Sequence, residues 1–103
     1  MASDYDLIVI GGGSGGLACA QRAAEYGARA LIVESGRLGG TCVNRGCVPK
    51  KIMWNAGEIA HALADAADYG FDIQVTGTRW GDLIRRREEY IRRLNDIYEG
   101  NLQ

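Results

Sequence analysis

Proline, histidine and long apolar runs are scarce in this sequence, and each scarcity excludes a class of structure. One proline among 103 residues argues against a proline-rich linker. The longest apolar runs are a few residues, far short of a transmembrane helix. The single histidine, His61, is expected at the surface of an alanine-rich helix and has no second histidine with which to share a metal site. A formal net charge of -1 gives no sign of a nucleic-acid partner.

A basic amino-terminal segment is also missing. Asp4 and Asp6 stand where a secretory signal peptide would carry positive charge. We therefore expect a cytosolic protein, in which thiols are kept reduced. Under those conditions the three cysteines are better explained as one redox pair and one spare thiol than as structural disulfides. The 103 residues, 47% of them hydrophobic, suffice for at most one small domain.

Glycine, by contrast, is abundant, and its densest run follows a short apolar segment. Residues 5–10 predict a buried parallel strand, residues 15–26 a helix, and residues 30–33 a second strand. These three elements fit within about thirty residues, the size of one βαβ unit. The expected fold class is therefore α/β and Rossmann-like, with a parallel βαβ unit, long helices and an incomplete sheet.

The glycine run between the first strand and the helix matches G-x-G-x-x-G through Gly11, Gly13 and Gly16. In its strand–turn–helix context, this motif predicts a dinucleotide whose pyrophosphate lies against the backbone and the helix N-terminus. Glu34 ends the second strand, 18 residues after Gly16, and is expected to bind ribose hydroxyls. The candidate cofactor-binding residues of this part are Gly11, Gly13, Ser14, Gly15, Gly16 and Glu34. The motif alone does not decide between FAD and a nicotinamide nucleotide.

The rest of the chain is predicted to contain a glycine-rich connection and two long helices. Residues 36–69 hold the connection and a helix whose first turn contains Pro49. A short strand at residues 71–75 is possible, and Thr78 is expected to cap the last helix, residues 78–102. The many arginines of that helix are expected to form a solvated face; the alternative is a patch that attracts an anionic substrate.

Cys42 and Cys47 are five residues apart, and a regular helix would hold them too far apart for a disulfide. The backbone between them must therefore be distorted, which Gly46 permits. Strain of this kind makes a disulfide easier to reduce, as a catalytic couple requires. A structural bridge would gain little from closing so short a loop, and a metal site lacks companion ligands. Cys19, within the first helix among alanines, is expected to be a buried free thiol.

One stretch closely resembles the redox motif of the pyridine nucleotide–disulfide oxidoreductases; it reads Gly39-Gly40-Thr41-Cys42-Val43-Asn44-Arg45-Gly46-Cys47-Val48-Pro49-Lys50-Lys51. Members of that family reduce a disulfide with electrons that pass from a nicotinamide nucleotide through FAD. The resemblance implies that Cys42 attacks the substrate disulfide and that Cys47 faces the flavin. It also implies that Lys50 lies beside the reactive edge of the flavin, with Lys51 as the runner-up, and that Thr41 contacts the flavin.

Two further segments look most like the glutathione reductases of this family, namely residues 50–55 and residues 92–98. In that group the last helix lines the substrate cleft, and the matching substrate-binding candidates here are Ser14, Gln21 and Tyr98. Some members carry arginine at the position of Gln21, so recognition of a substrate carboxylate by charge is weakened here. Trypanothione reductases carry an acidic residue at position 18, and Ala18 argues against that specificity.

Arg45 departs from the family motif, in which valine is more usual at this position. The arginine either points to solvent, which we favour, or lowers the pKa of a neighbouring thiol. Despite this departure, the resemblance implies NADPH-dependent reduction of glutathione disulfide through FAD, with Cys42, Cys47 and Lys50 as the catalytic residues. The alternatives are a large thioredoxin reductase or another FAD disulfide reductase and, outside the enzymes, an isolated flavin- or nucleotide-binding module.

The resemblance also implies a domain organisation. Residues 1–103 would form part of an FAD-binding domain, divided into a dinucleotide-binding βαβ unit (4–35), a redox-cysteine loop and helix (36–69) and a substrate-cleft helix (78–102). The NADPH and dimer-interface domains of the family are absent, so we expect a fragment of a longer chain. A homodimer partner would supply the acid–base histidine. No metal, nucleic-acid or membrane partner is expected.

Overall fold

The computed structural model describes residues 4–102; residues 1–3 and 103, which belong to the predicted partial domain, lie outside the described residues. The elements in chain order are β1 (Leu7–Ile10), α1 (Ser14–Glu25), β2 (Ala30–Val33), α2 (Gly40–Asn44), α3 (Cys47–Asp65), a 3₁₀ turn (Ala66–Tyr69) and α4 (Trp80–Leu102). The first strand, the first helix and the second strand therefore occur in the predicted order and close to the predicted bounds.

The two strands form a parallel sheet in which residues 7–10 pair in order with residues 30–33. An ion pair holds the end where both strands begin: the Asp6 carboxylate accepts a hydrogen bond from the Arg29 backbone N–H at 2.9 Å and another from its guanidinium at 3.2 Å. The guanidinium, and then the backbone N–H, lower the pKa of Asp6. This parallel pair, joined through a helix, confirms the predicted incomplete α/β, Rossmann-like unit.

α1 packs across both strands. Its Leu17 and Ala20 are buried, and Gly16 brings its backbone close to the sheet. A Cβ at Gly16 would collide with the carbonyl oxygen of Gly11 and would lie 3.2 Å from a methyl carbon of Val9. Only glycine therefore allows α1 to approach the end of β1 this closely.

The sheet is exposed on its other face, which corrects the expectation of a buried first strand. Ile8 is 56% exposed and Ile10 is 88% exposed, because alternate side chains point to opposite faces and α1 covers one of them. The possible strand at residues 71–75 is also wrong. A strand needs the backbone of a partner, and in the described part of the chain the sheet contains β1 and β2 alone.

α4 packs against α2 and α3. Ile91 is fully buried, and Val43 of α2 is buried as well. The helix begins at Trp80, and the carbonyl of Arg79 accepts its first backbone hydrogen bonds at 3.1 and 3.3 Å. Arg79 therefore occupies the capping position that was predicted for Thr78. Within residues 4–102, no helix combines the length and apolar character needed to cross a membrane.

Candidate functional site

The glycine-rich turn leads directly into the N-terminus of α1. Gly13 precedes the helix in extended conformation (φ -83°, ψ -169°), and within the described chain no side chain caps the helix and no acidic residue lies in its first turn. The first N–H groups of the helix are therefore available to an anion, and the helix dipole favours negative charge there. Ser14 and Gly15 are exposed beside them. This arrangement fits the pyrophosphate of a dinucleotide.

Glu34 lies against the same turn. Its carboxylate oxygen Oε2 accepts a hydrogen bond of 2.7 Å from the backbone N–H of Gly12. A carboxylate has two oxygens and several acceptor positions, so the bond to Gly12 leaves capacity for a ligand hydroxyl. Gly12 was not predicted as a site residue from the sequence. In the structure it is buried, and a Cβ there would lie 2.7 Å from a methyl carbon of Leu38.

A second pair of glycines joins the glycine-rich turn to the segment that contains Cys42 and Cys47. Gly39 donates its backbone N–H to the Gly12 carbonyl at 2.8 Å, and Gly40 packs on Gly13. A Cβ on Gly40 would lie only 2.7 Å from the Cα of Gly13. Both Gly39 and Gly40 have positive φ, at 102° and 65°, which favours glycine. Thr41, the second residue of α2, follows this contact directly, so α2 begins against the glycine-rich turn.

Cys42 and Cys47 belong to different helices. Cys42 lies in α2, a short helix within the predicted connection, whereas Cys47 begins α3. The backbone breaks at Arg45 and Gly46 between them, which confirms the distortion expected from the spacing. A Cβ on Gly46 would lie 2.9 Å from the Thr41 carbonyl oxygen and 3.3 Å from the Cα of Cys42. Glycine at this position therefore allows the start of α3 to lie close to Cys42.

The two thiols interact. Both are free in this structure, with Cys42 half-buried and Cys47 exposed. The pKa of Cys42 is raised, first by a side-chain hydrogen bond with Cys47, then by burial, and then by the charge of Cys47. A hydrogen bond with the Cys47 backbone and then the positive charge of Lys50, in the first turn of α3, lower the pKa of Cys42 but are outweighed. Arg45 is exposed, in agreement with the favoured interpretation that it points to solvent.

The predicted substrate-side residues lie on two separate helices. Ser14 and Gln21 are exposed on α1, which packs on the strands. Tyr98 is half-buried on α4, which packs on α2 and α3. The structure therefore places them at different elements. Cys19 corrects another expectation: it is exposed, because the buried face of α1 is the one that carries Leu17 and Ala20.

A polar cavity of about 760 Å³ lies between the segment that follows β2 and helices α2, α3 and α4. Its lining includes Glu34, which follows β2, Thr41 from α2 and Arg87 from α4. The size is within the range of cofactor and ligand sites. Within residues 4–102, no group of three His, Cys, Asp or Glu side chains is arranged to hold a metal ion.

Two asparagines of the site were not found from the sequence. Asn95 on α4 donates a hydrogen bond of 3.0 Å to the side-chain oxygen of Asn44 in α2, and another of 2.8 Å to the Leu38 carbonyl. The partners are more than fifty residues apart along the chain, and neither apolar periodicity nor a cap signal marks Asn95. Only the packing of α4 on α2 reveals the contact.

The family model described as pyridine nucleotide-disulphide oxidoreductase matches residues 5–103. The chain belongs to this family, which agrees with the resemblance seen in the cysteine motif. It is 53% identical over 103 residues to the glutathione reductase of Yarrowia lipolytica, covering 96% of this chain and 22% of that protein. The glutathione reductase of Schizosaccharomyces pombe is 55% identical over 100 residues, with 95% and 22% covered.

A third glutathione reductase, from Debaryomyces hansenii, is 49% identical over 106 residues, with 96% of this chain and 22% of that protein covered. Similarity at this level extends over nearly the whole chain and so includes both the glycine-rich turn and the cysteine pair. The chain nevertheless spans only about a fifth of the length of these relatives.

Proposed function

We propose that this chain is the FAD-binding and redox-active part of an NADPH-dependent glutathione disulfide reductase. The observation that carries the proposal is the contact between Gly13 and Gly40, which joins a dinucleotide-binding turn to the helix that contains Cys42. A disulfide reductase needs this proximity, because electrons must pass from a bound cofactor to the cysteine pair. Family membership and the names of the similar proteins support the choice of reaction and substrate.

The residues of the turn fit FAD. The uncapped N-terminus of α1 would hold the pyrophosphate over Gly11 to Gly16, and the Glu34 carboxylate would accept hydrogen bonds from ribose hydroxyls. By family resemblance, Cys47 would face the flavin, and Thr41, Cys42 and Lys50 would lie at the same end of the cofactor. FAD, when bound, would supply two electrons that it receives from NADPH as a hydride. Lys50 is exposed at the start of α3, where its positive charge would stabilise negative charge nearby.

The cysteine pair would carry those electrons to glutathione disulfide. Two electrons and two protons convert the Cys42–Cys47 disulfide into two thiols. The thiolate of Cys42 then attacks one sulfur of glutathione disulfide, forms a mixed disulfide and releases one glutathione thiolate. Cys47 attacks the sulfur of Cys42 in that mixed disulfide, releases the second glutathione and regenerates the starting disulfide. Each cycle therefore consumes one glutathione disulfide, two electrons and two protons and forms two molecules of glutathione.

Cys42 must lose its proton before it attacks, and a base that accepts this proton would assist, because the hydrogen bond with Cys47 raises the pKa of Cys42. By family resemblance, a histidine from the second subunit of a homodimer would accept this proton. Ser14, Gln21 and Tyr98 would contact glutathione. Gln21 is neutral and would recognise a substrate carboxylate by hydrogen bonds alone, so we expect a higher KM than in relatives with arginine at this position.

The proposal is tested with a full-length reductase that carries residues 1–103. NADPH oxidation is measured with glutathione disulfide and with oxidised thioredoxin as alternative substrates. We expect turnover with glutathione disulfide, complete loss in Cys42→Ser and in Cys47→Ser, and unchanged turnover in the matched control Cys19→Ser. Turnover with thioredoxin alone would identify a large thioredoxin reductase. FAD binding without any NADPH oxidation would identify a flavin-binding module that is not an enzyme.

A further inference from the structure

The side-chain amides of Asn44 and Asn95 form a closed hydrogen-bond network with the backbone carbonyls of Leu38 and Gly40. Asn44 donates to the Gly40 carbonyl at 2.9 Å and to the Leu38 carbonyl at 3.2 Å. Asn95 donates to the same Leu38 carbonyl at 2.8 Å and to the Asn44 side-chain oxygen at 3.0 Å. Both N–H groups of each amide are used, and Leu38 accepts two bonds through its two lone pairs.

The orientation of the Asn44 amide follows from its partners. Rotation of this amide by a half turn would place its oxygen against the carbonyl oxygens of Leu38 and Gly40, which cannot donate. The Asn44 oxygen must therefore face α4, where Asn95 provides the matching donor. The network thus specifies one position of α2 against α4.

α2 needs such an anchor. It has five residues, fewer than a stable isolated helix requires, and no side chain within the described chain caps it. Glycines lie at both of its ends: Gly39 precedes it and Gly40 is its first residue, each with positive φ, and Gly46 follows it. These positions leave the backbone freedom to swing α2 away from α3, and Cys42 would move with it.

We propose that Asn95 is a positioning residue that acts through Asn44 to hold Cys42 within reach of Cys47. The inference deepens the proposed function, because it assigns to α4 control over the redox couple of the same site. With the network intact, the thiol of Cys42 has a high effective concentration at Cys47, which stabilises the disulfide. Without Asn95, α2 gains freedom, the effective concentration falls and the disulfide becomes easier to reduce.

The test measures the disulfide equilibrium in a full-length reductase that carries residues 1–103, using buffers of reduced and oxidised dithiothreitol. After rapid alkylation, mass spectrometry gives the fraction of the Cys42–Cys47 disulfide. We expect Asn95→Ala to lower the equilibrium constant for disulfide formation about tenfold, or about 30 mV for a two-electron couple. Asn101→Ala, an exposed change on the same helix, is the matched control and should leave the constant unchanged.

Melting temperatures separate positioning from simple stability. A purely structural role would lower the melting temperature of Asn95→Ala and leave the disulfide constant within twofold of the unmodified protein, which would overturn the proposal. The double variant Asn44→Ala/Asn95→Ala should shift the constant by less than the sum of the two single shifts, because either single variant already removes the Asn44–Asn95 bond. An additive double effect would also overturn it.

A second variant keeps the test decisive if Asn95→Ala does not fold. Asn95→Ser retains one donor and should shift the constant about threefold in the same direction; no shift would overturn the inference. The equilibrium uses neither NADPH nor glutathione. A protein that shows the shift but does not reduce glutathione disulfide would therefore refute the proposed substrate and leave the role of Asn95 standing.

Discussion

Gly40 packs directly on Gly13, so that a Cβ on Gly40 would lie 2.7 Å from the Gly13 Cα. This contact is the place where the glycine-rich turn, which we propose to bind a dinucleotide, meets the helix that contains Cys42. It requires glycine on two counts, because Gly40 also has a φ of 65°. The distance between a bound cofactor and the redox pair therefore depends on the absence of a side chain.

Gly40→Ala is expected to separate the two parts of the site. Overpacking costs about 1–3 kcal/mol, and the left-handed backbone adds about 1–2 kcal/mol for a residue with a Cβ. In a full-length reductase that carries this segment, we expect a lower melting temperature and weaker FAD binding, measured by flavin fluorescence. Gly57→Ala is the matched control: nothing lies within 4 Å of its Cβ. There we expect stabilisation of up to about 1 kcal/mol. Equal effects of the two variants would contradict the close contact.

Glu34 accepts a hydrogen bond from Gly12 and is proposed to bind ribose hydroxyls, and two variants separate these two roles. Glu34→Ala leaves the Gly12 N–H, partly buried in this structure, without its acceptor. The free energy of unfolding should fall by about 1–3 kcal/mol. Glu34→Gln keeps an acceptor oxygen and should lose much less. Both variants should weaken FAD binding, because ribose hydroxyls lose a carboxylate acceptor. Urea unfolding of the apoprotein and FAD titration measure the two effects, with exposed Glu25→Gln as the control. Unimpaired FAD binding in Glu34→Ala would place the ribose elsewhere.

The extent to which the sequence predicts this structure differs between the turn and the contacts around it. G-x-G-x-x-G and the Cys42–Cys47 spacing are local patterns, so the first strand, the first helix and the backbone break at Gly46 could be predicted. The Asn44–Asn95 bond could not, because it joins residues 51 positions apart through helix packing. The predicted burial of Cys19 was wrong for the same reason. It was inferred from the apolar neighbours of Cys19 in the sequence, whereas the exposure of a residue on α1 depends on whether it lies on the face that meets the strands.

The reactivity of Cys42 should depend on Cys47. Since the side-chain hydrogen bond with Cys47 is the largest cause that raises the pKa of Cys42, Cys47→Ala should lower that pKa. A lower pKa means a larger thiolate fraction at pH 7, and alkylation of Cys42 by iodoacetamide should then be faster and its pH profile should shift to lower pH. The rate is followed by peptide mapping of the reduced full-length protein. Cys19→Ala is the control, in which the Cys42 profile should not move. A profile shifted to higher pH in Cys47→Ala would reverse the assigned direction.

Tyr98 is expected to serve substrate binding more than stability. It is half-buried on α4, and by resemblance its hydroxyl contacts glutathione. In Tyr98→Phe the loss of one hydrogen bond, about 0.5–1.5 kcal/mol, should raise the KM for glutathione disulfide about two- to tenfold with little change in melting temperature. Tyr90→Phe, on the same helix with an exposed side chain, is the matched control. A lowered melting temperature with unchanged KM would instead make Tyr98 a packing residue.

The last prediction concerns residues 1–103 expressed alone. Within residues 4–102 the sheet has two strands, one face of β1 is exposed through Ile8 and Ile10, and Ile91 is the largest fully buried side chain. Two strands and so small a core give marginal stability. We therefore expect these residues alone to bind FAD weakly and to show no NADPH-dependent reduction of glutathione disulfide, as measured by flavin titration and by absorbance of NADPH. Stoichiometric FAD binding together with turnover would show that these strands and helices suffice for FAD binding and for reduction of glutathione disulfide. The expectation that activity needs further domains would then be wrong.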